Sequence, residues 1–122
     1  MSSILVVDDD ADVRASIRKA LERDGHSVTE EPDGQSALRR FVAAPADLVI
    51  SDVFMPDMDG LDFLARVREV FPGARIIMIS GGGDLREESV LEAAEKLGAD
   101  GIMEKPFDTR ELRATVDEAL SR

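Results

Sequence analysis

Ile4-Leu5-Val6-Val7-Asp8-Asp9-Asp10 is a run of four apolar residues that passes directly into three acids. An apolar run without polar alternation fits a strand covered on both faces, as in parallel α/β sheets. The chain repeats this pattern. Leu48-Val49-Ile50-Ser51 stops at Asp52, Ile76-Ile77-Met78-Ile79 at Ser80, and Ile102-Met103-Glu104 at Lys105-Pro106. A shorter stretch, Ser27-Val28-Thr29, reads as one more strand. In an open parallel sheet the strand C-termini gather along one edge, and ligands bind there. Asp8, Asp52, Ser80 and Lys105, scattered through the sequence, are therefore expected in one pocket.

Helical patterns fill the intervals. Val13, Ile17 and Leu21 recur at i, i+4, i+8, and Gly25 closes that helix. Asp33 is placed to cap a second helix that carries Ala37, Leu38 and Phe41 and stops before Pro45. A loop from Phe54 to Gly60 precedes a third helix with Phe63, Val67 and Val70, broken by Pro72-Gly73. Val90, Ala94 and Leu97 mark a fourth helix ending at Gly98. Asp108 and Glu111 have the spacing of a capping box, opening a fifth helix with Leu112, Val116 and Leu120. Strand and helix alternate five times, which predicts a (βα)5 doubly wound α/β fold with right-handed crossovers, a single domain over residues 1–122.

The bulk composition narrows the function. Fifteen Lys and Arg against 26 Asp and Glu give a net charge of −11. That surface repels nucleic acid, so no direct nucleic-acid contact is expected of this domain. No apolar run approaches the roughly 20 residues that span a bilayer, so no membrane partner is expected. The start has no basic region of a secretory signal, and there is no cysteine. A cytoplasmic location is the expectation.

Asp52, at the end of a central strand, is placed as a nucleophile that forms an aspartyl-phosphate. Phosphoryl transfer is mostly positioning and charge neutralisation. Asp8 and Asp9 offer the hard oxygen ligands suited to Mg2+. Lys105 supplies a point charge for a phosphoryl oxygen, and Ser80 supplies a hydroxyl donor. Singly these signals are weak, since a lone Lys is usually solvated and a Ser after a strand is usually a turn former. Four strand ends carrying one consistent chemistry make a specific signal.

Val6-Val7-Asp8-Asp9, Ser51-Asp52, Met55-Pro56-Asp57-Met58-Asp59-Gly60, Ser80 and Lys105-Pro106-Phe107 together resemble the receiver domain of two-component response regulators, over essentially the whole chain. The resemblance implies a flavodoxin-like sheet of strand order 2-1-3-4-5, for which a receiver protein is a standard example. It implies that Asp52 is the phosphoacceptor and that Asp8, Asp9, Asp52 and the backbone carbonyl of Phe54 hold Mg2+. It further implies that Lys105 and Ser80 contact the phosphoryl oxygens. The donor would be a histidine kinase, a histidine phosphotransfer protein or a small acyl phosphate. The readout would pass to a downstream protein target through the face of helix four, strand five and helix five. Such a domain catalyses its own phosphorylation and dephosphorylation and is not a turnover enzyme on an external substrate. Without an output domain it would resemble the single-domain, chemotaxis-regulator-like members.

Two positions depart from the family pattern. Strand five usually carries an aromatic whose rotamer follows the Ser or Thr, and here the residue is Ile102. After Ser80 come Gly81, Gly82 and Gly83, a stretch able to remodel on phosphorylation or simply an ordinary loop.

Other readings fit less well. Asp8, Asp10 and Asp12 match the first ligands of an EF-hand, but Val13 stands where Gly is needed and Lys19 where Glu is needed. A haloacid-dehalogenase-like phosphatase would leave Asp52 unexplained. The three glycines do not form a dinucleotide fingerprint. His26 stands alone and reads as a surface residue. The alternative that stays open is a receiver-shaped interaction module that works without phosphate.

Overall fold

The computed structural model describes residues 2–81 and 92–122. Five strands form one parallel sheet in the order β2-β1-β3-β4-β5. They are β1 (Ser3–Val7), β2 (Ser27–Glu31), β3 (Leu48–Asp52), β4 (Arg75–Ser80) and β5 (Gly101–Glu104). The helices are α1 (Ala11–Arg23), α2 (Gly34–Ala43), α3 (Gly60–Val70), the helical residues 92–96 (α4) and α5 (Thr109–Leu120). The predicted class and strand order are those observed. The second strand runs two residues past Thr29, and Gly82, Gly83 and Val90, expected in the loop and fourth helix, lie outside the described residues.

Strand alternation splits the core into two layers. Ile4, Val6, Leu48, Ile50, Ile77 and Ile79 point to one face, where Ile17 and Leu21 of α1 and Leu112 and Val116 of α5 cover them. Leu5, Val7, Val49, Ile76 and Met78 point to the other, under Phe41 of α2, Phe63 and Val67 of α3 and Ala94 of α4. Every residue of β3 is buried, as a central strand sandwiched between helices must be. Two helical expectations shift. Val70 is 42% exposed and the inward stripe of α3 runs through Leu64 instead, while Leu97 lies in the turn after α4 and is 56% exposed. Both sit at helix ends, where the apolar stripe has already rotated off the sheet.

The starts of α1, α2, α3 and α5 are capped by acids. Asp10, Asp33, Asp59 and Asp108 each accept a hydrogen bond from a first-turn N–H. Such caps hold a helix origin at a fixed place beside the strand that precedes it. Gly25 and Gly98 adopt positive φ where α1 and α4 turn back toward the sheet.

Gly60 begins α3 with its N–H donating to Val53 O at 2.9 Å. A Cβ there would lie 2.4 Å from that same carbonyl oxygen and 2.8 Å from Met78 Cε. Backbone cannot yield as a side chain can. Gly60→Ala is therefore expected to lower stability by about 1–3 kcal/mol, read as a lower urea midpoint. Gly73→Ala, whose Cβ meets only the ring of Phe71 at 3.4 Å or beyond, should sit near the wild-type midpoint. Equal midpoints for the two variants would show that the loop after β3 gives way freely.

Candidate active site at the strand ends

Asp8, Asp9, Asp52, Ser80 and Lys105 converge at the C-terminal edge of the sheet. The register brings this about. Val7 pairs with Ser51, Asp52 with Ile79, and Ser80 with Glu104, so the residues that follow or end these strands lie side by side. Lys105 N–H donates to Ser80 O at 2.8 Å, extending the β4–β5 ladder to the lysine itself. The Lys105–Pro106 peptide is cis.

Asp8 is fully buried and Asp52 nearly so, while Asp9 is exposed. Asp52 Oδ1 accepts from the Phe54 N–H and Oδ2 from Lys105 Nζ, both at 3.0 Å. Lys105 Nζ also lies 2.9 Å from Asp8 Oδ2. That ion pair is the one contact shown for Asp8 Oδ2, a buried carboxylate oxygen to which no backbone N–H donates among the described residues. Asp8 Oδ1 accepts from the Asp10 N–H at 2.9 Å. Burial pushes the Asp52 carboxyl above its ordinary pKa, opposed by the Phe54 N–H and the Lys105 ammonium. Burial alone would lower Lys105, but its attraction to Asp8 and Asp52 outweighs this and the net shift is upward.

Ligand oxygens of Asp8, Asp9 and Asp52 lie within 4.8 Å of one another. All three are hard anionic donors, and two of the residues, Asp8 and Asp52, are buried. This donor set fits a hard divalent cation with oxygen ligands, and does not fit a soft metal. Phe54 stands beside it, its N–H on Asp52 and its backbone bridged to Asp59. Ser80 is buried at the end of β4.

Three acids near the site have structural duties that the sequence reading did not separate. Asp10, next to the pair, spends its carboxylate capping α1 through the N–H groups of Asp12 and Val13. Asp57 accepts from the N–H of Gly34 at 2.9 Å and of Gln35 at 2.8 Å, tying the loop after Asp52 to the start of α2. Glu30 on β2 holds Arg14 at 3.2 Å. Arg14, missed in the sequence, donates its other arm to the backbone carbonyl of Asp8. The guanidinium thus clamps the acid-bearing turn to β2. Its hydrophobic neighbours at helical spacing give no hint of a partner on the following strand.

Arg14 is a cation near a cation site, so its charge and its clamp have opposite effects. Loss of charge alone would tighten Mg2+ binding, whereas loss of the clamp lets the Asp8 turn move. Arg14→Ala is expected to weaken Mg2+ by roughly tenfold in calorimetric titration, as supporting partners of metal ligands commonly do. Arg18→Ala, which frees Glu22 and one oxygen of Glu30 but touches nothing on the Asp8 turn, should leave the affinity near wild type. A tighter Arg14→Ala complex would mean that only the charge matters.

The family model for the response regulator receiver domain matches residues 4–117. The chain is 38% identical to the DNA-binding transcriptional regulator NtrC of Azospirillum brasilense over 98% of its own length, but spans only 24% of that protein. It is 32% identical to the response regulator receiver protein CpdR of Brucella abortus, with 98% of each chain covered. Among solved structures, a CheY-like receiver domain protein from Methanospirillum hungatei superimposes with a TM-score of 0.89 at 28% identity, over 99% of this chain and 94% of that one. The receiver domain of NtrX from Brucella abortus does so with a TM-score of 0.89 at 32% identity, over 97% and 98%. With the acids, the lysine and the serine at the strand ends of a 2-1-3-4-5 sheet, this chain belongs to the response regulator receiver domain family.

Proposed function

We propose that the protein is a phosphorylation-dependent switch whose acceptor is Asp52, served by Mg2+ held by Asp8, Asp9, Asp52 and the Phe54 carbonyl. The observation that carries this reading is the buried Asp52–Lys105–Asp8 group, two carboxylates sharing one ammonium beside the ligand oxygen of Asp9. The bound cation supplies neutralisation of phosphoryl oxygens. A carboxylate oxygen of Asp52 attacks phosphorus while the bond from phosphorus to the donor's imidazole nitrogen breaks. The donor leaves as neutral histidine after taking up a proton. Lys105, drawn from Asp8 and Asp52, then pairs with a phosphoryl oxygen, and the Ser80 hydroxyl donates to another. Hydrolysis of the acyl phosphate by water returns Asp52, so the domain acts on itself and turns over no external substrate.

The donor is a histidine kinase or a histidine phosphotransfer protein in the cytoplasm. A cleft of about 280 Å3 lined by Val13, Ser16, Pro106 and Phe107 opens beside Lys105 and offers the donor an apolar seat. The output passes through the α4-β5-α5 face to a protein target. Ile102 is half-buried against the α3–α4 layer, so the relay runs without an aromatic rotamer at that position. No helix among the described residues is long and apolar enough to cross a membrane.

The reading is tested by amide NMR in Mg2+ with and without beryllofluoride, a stable stand-in for the phosphoryl group. Shifts at Asp52, Ser80 and Lys105 that extend into β5 are expected, and Asp52→Asn should abolish them. Lys105→Ala is expected to keep Mg2+ binding while confining the shifts to the pocket. Absence of any response in the wild type would favour the phosphate-independent module.

The raised Asp52 pKa has a stability consequence. A carboxyl whose folded pKa exceeds its unfolded one holds its proton more tightly when folded, so stability falls as pH rises from the unfolded to the folded value. Above that window the desolvated charge is a standing cost in the metal-free protein. Asp52→Asn should therefore raise the metal-free Tm at neutral pH, with a gain that shrinks as pH falls through the window. Mg2+ should stabilise the wild type more than the variant. A lower Tm for Asp52→Asn at neutral pH would mean that its bonds to Phe54 and Lys105 outweigh desolvation.

A further inference from the structure

A cavity of about 790 Å3, remote in chemistry from the acid cluster, lies along α2 and α3. Its apolar strip is Leu38 and Val42, one turn apart on α2, with Met58 from the loop before α3. Leu38 and Met58 rest on the core below, while Val42 is 57% exposed, the most exposed large hydrophobic among the described residues. An apolar strip in a cavity of this size matches the dimensions of binding clefts.

Its walls are fixed. Asp57 is held by the N–H groups of Gly34 and Gln35, and a Cβ on Gly34 would come within 2.8 Å of Met58 Cγ, so loop and helix fit tightly at this end. A preformed groove costs little ordering on binding.

The charges have an orientation. Both acids in the lining are occupied, Asp57 by the α2 N–H groups and Asp62 by Arg66 at 3.1 Å. Arg39, exposed beside Leu38, makes no hydrogen bond or ion pair among the described residues. It acts on Asp33 only at longer range, and that carboxylate is already capping α2. On a chain of net charge −11, most arginines are bound to acids, among them Arg14, Arg18, Arg40, Arg68 and Arg113. An uncommitted guanidinium bordering an apolar strip selects a ligand with apolar side chains and a carboxylate.

We propose that the α2–α3 groove docks an amphipathic helix of a partner protein, its apolar face on Leu38, Val42 and Met58 and an Asp or Glu on Arg39. The walls are two helices and the apolar knobs repeat at i, i+4, which is the spacing another helix interdigitates with. The site goes beyond the phosphorylation switch and uses none of its residues.

The test is a selection from a helix-biased peptide display library on the full chain without phosphodonor, so that its failure leaves the switch untouched. Enriched peptides are expected to share an apolar pair three or four residues apart and an acid. Val42→Glu and Arg39→Glu should each weaken them by about tenfold or more, while Arg110→Glu on α5 should not. Replacing the peptide's acid by Lys should restore binding to Arg39→Glu. All three substitutions are at exposed helical positions, and circular dichroism checks that each folds. The proposal is overturned if no sequence is enriched, if the peptides bind Val42→Glu as well as wild type, or if they are basic. A wild-type dimer in sedimentation that Val42→Glu dissolves would also overturn it, giving the groove to a second copy of this chain.

Discussion

Asp8 and Asp52, two carboxylates almost without contact with water, share the one ammonium of Lys105. The strands that carry them are neighbours in a parallel sheet, so neither can be moved away without breaking the ladder. Burying such a group is costly unless every charge is answered, and here two carboxylates have one ammonium between them. The surrounding structure reads as support for this unfavourable arrangement. Arg14 fixes the Asp8 carbonyl to Glu30, Asp10 caps the helix that follows, and the Phe54 N–H holds one oxygen of Asp52.

The segment after Asp52 carries the same logic outward. From Val53 to Gly60 the chain must leave the sheet edge, pass the cation-ready oxygens and start α3. Gly60 has no room for a side chain against the Val53 carbonyl, which sets the width of the turn. Asp57 then pins the turn to α2, and Asp59 caps α3 by accepting from Leu61 at 2.7 Å. Both helix origins are thus referred to the same short loop as Asp52. A change at the acceptor is mechanically adjacent to the α2–α3 surface as well as to β5.

Legibility followed the range of each interaction. The strands were readable because unbroken Val/Ile/Leu runs have few other uses, and the caps at Asp33 and Asp108 because a cap acts within three residues. Asp8, Asp9, Asp52, Ser80 and Lys105 were readable because parallel topology turns strand ends into neighbours. Arg14 and Asp57 were not, since their partners on β1, β2 and α2 are set by tertiary packing that no local pattern records. Val70 and Leu97 were misassigned to the inward stripes for the related reason that periodicity does not say where a helix leaves the core.

Charge counting explains why such a site suits a switch. Three carboxylates and one ammonium leave a formal excess of about two negative charges, which a divalent cation cancels. Turning the Asp52 carboxylate into a phosphoaspartate adds about one negative charge on new oxygens that stand farther from the strand. The site would then carry about one excess negative charge, and shifting the Lys105 ammonium and the Ser80 hydroxyl toward the new oxygens would place the available positive charge and donor where that excess lies. Both residues sit where β4 and β5 are laced together, with Lys105 N–H on Ser80 O. Under the proposed phosphorylation, an imbalance of one charge at the sheet edge would bear on the strand ends directly, whatever side chain occupies position 102.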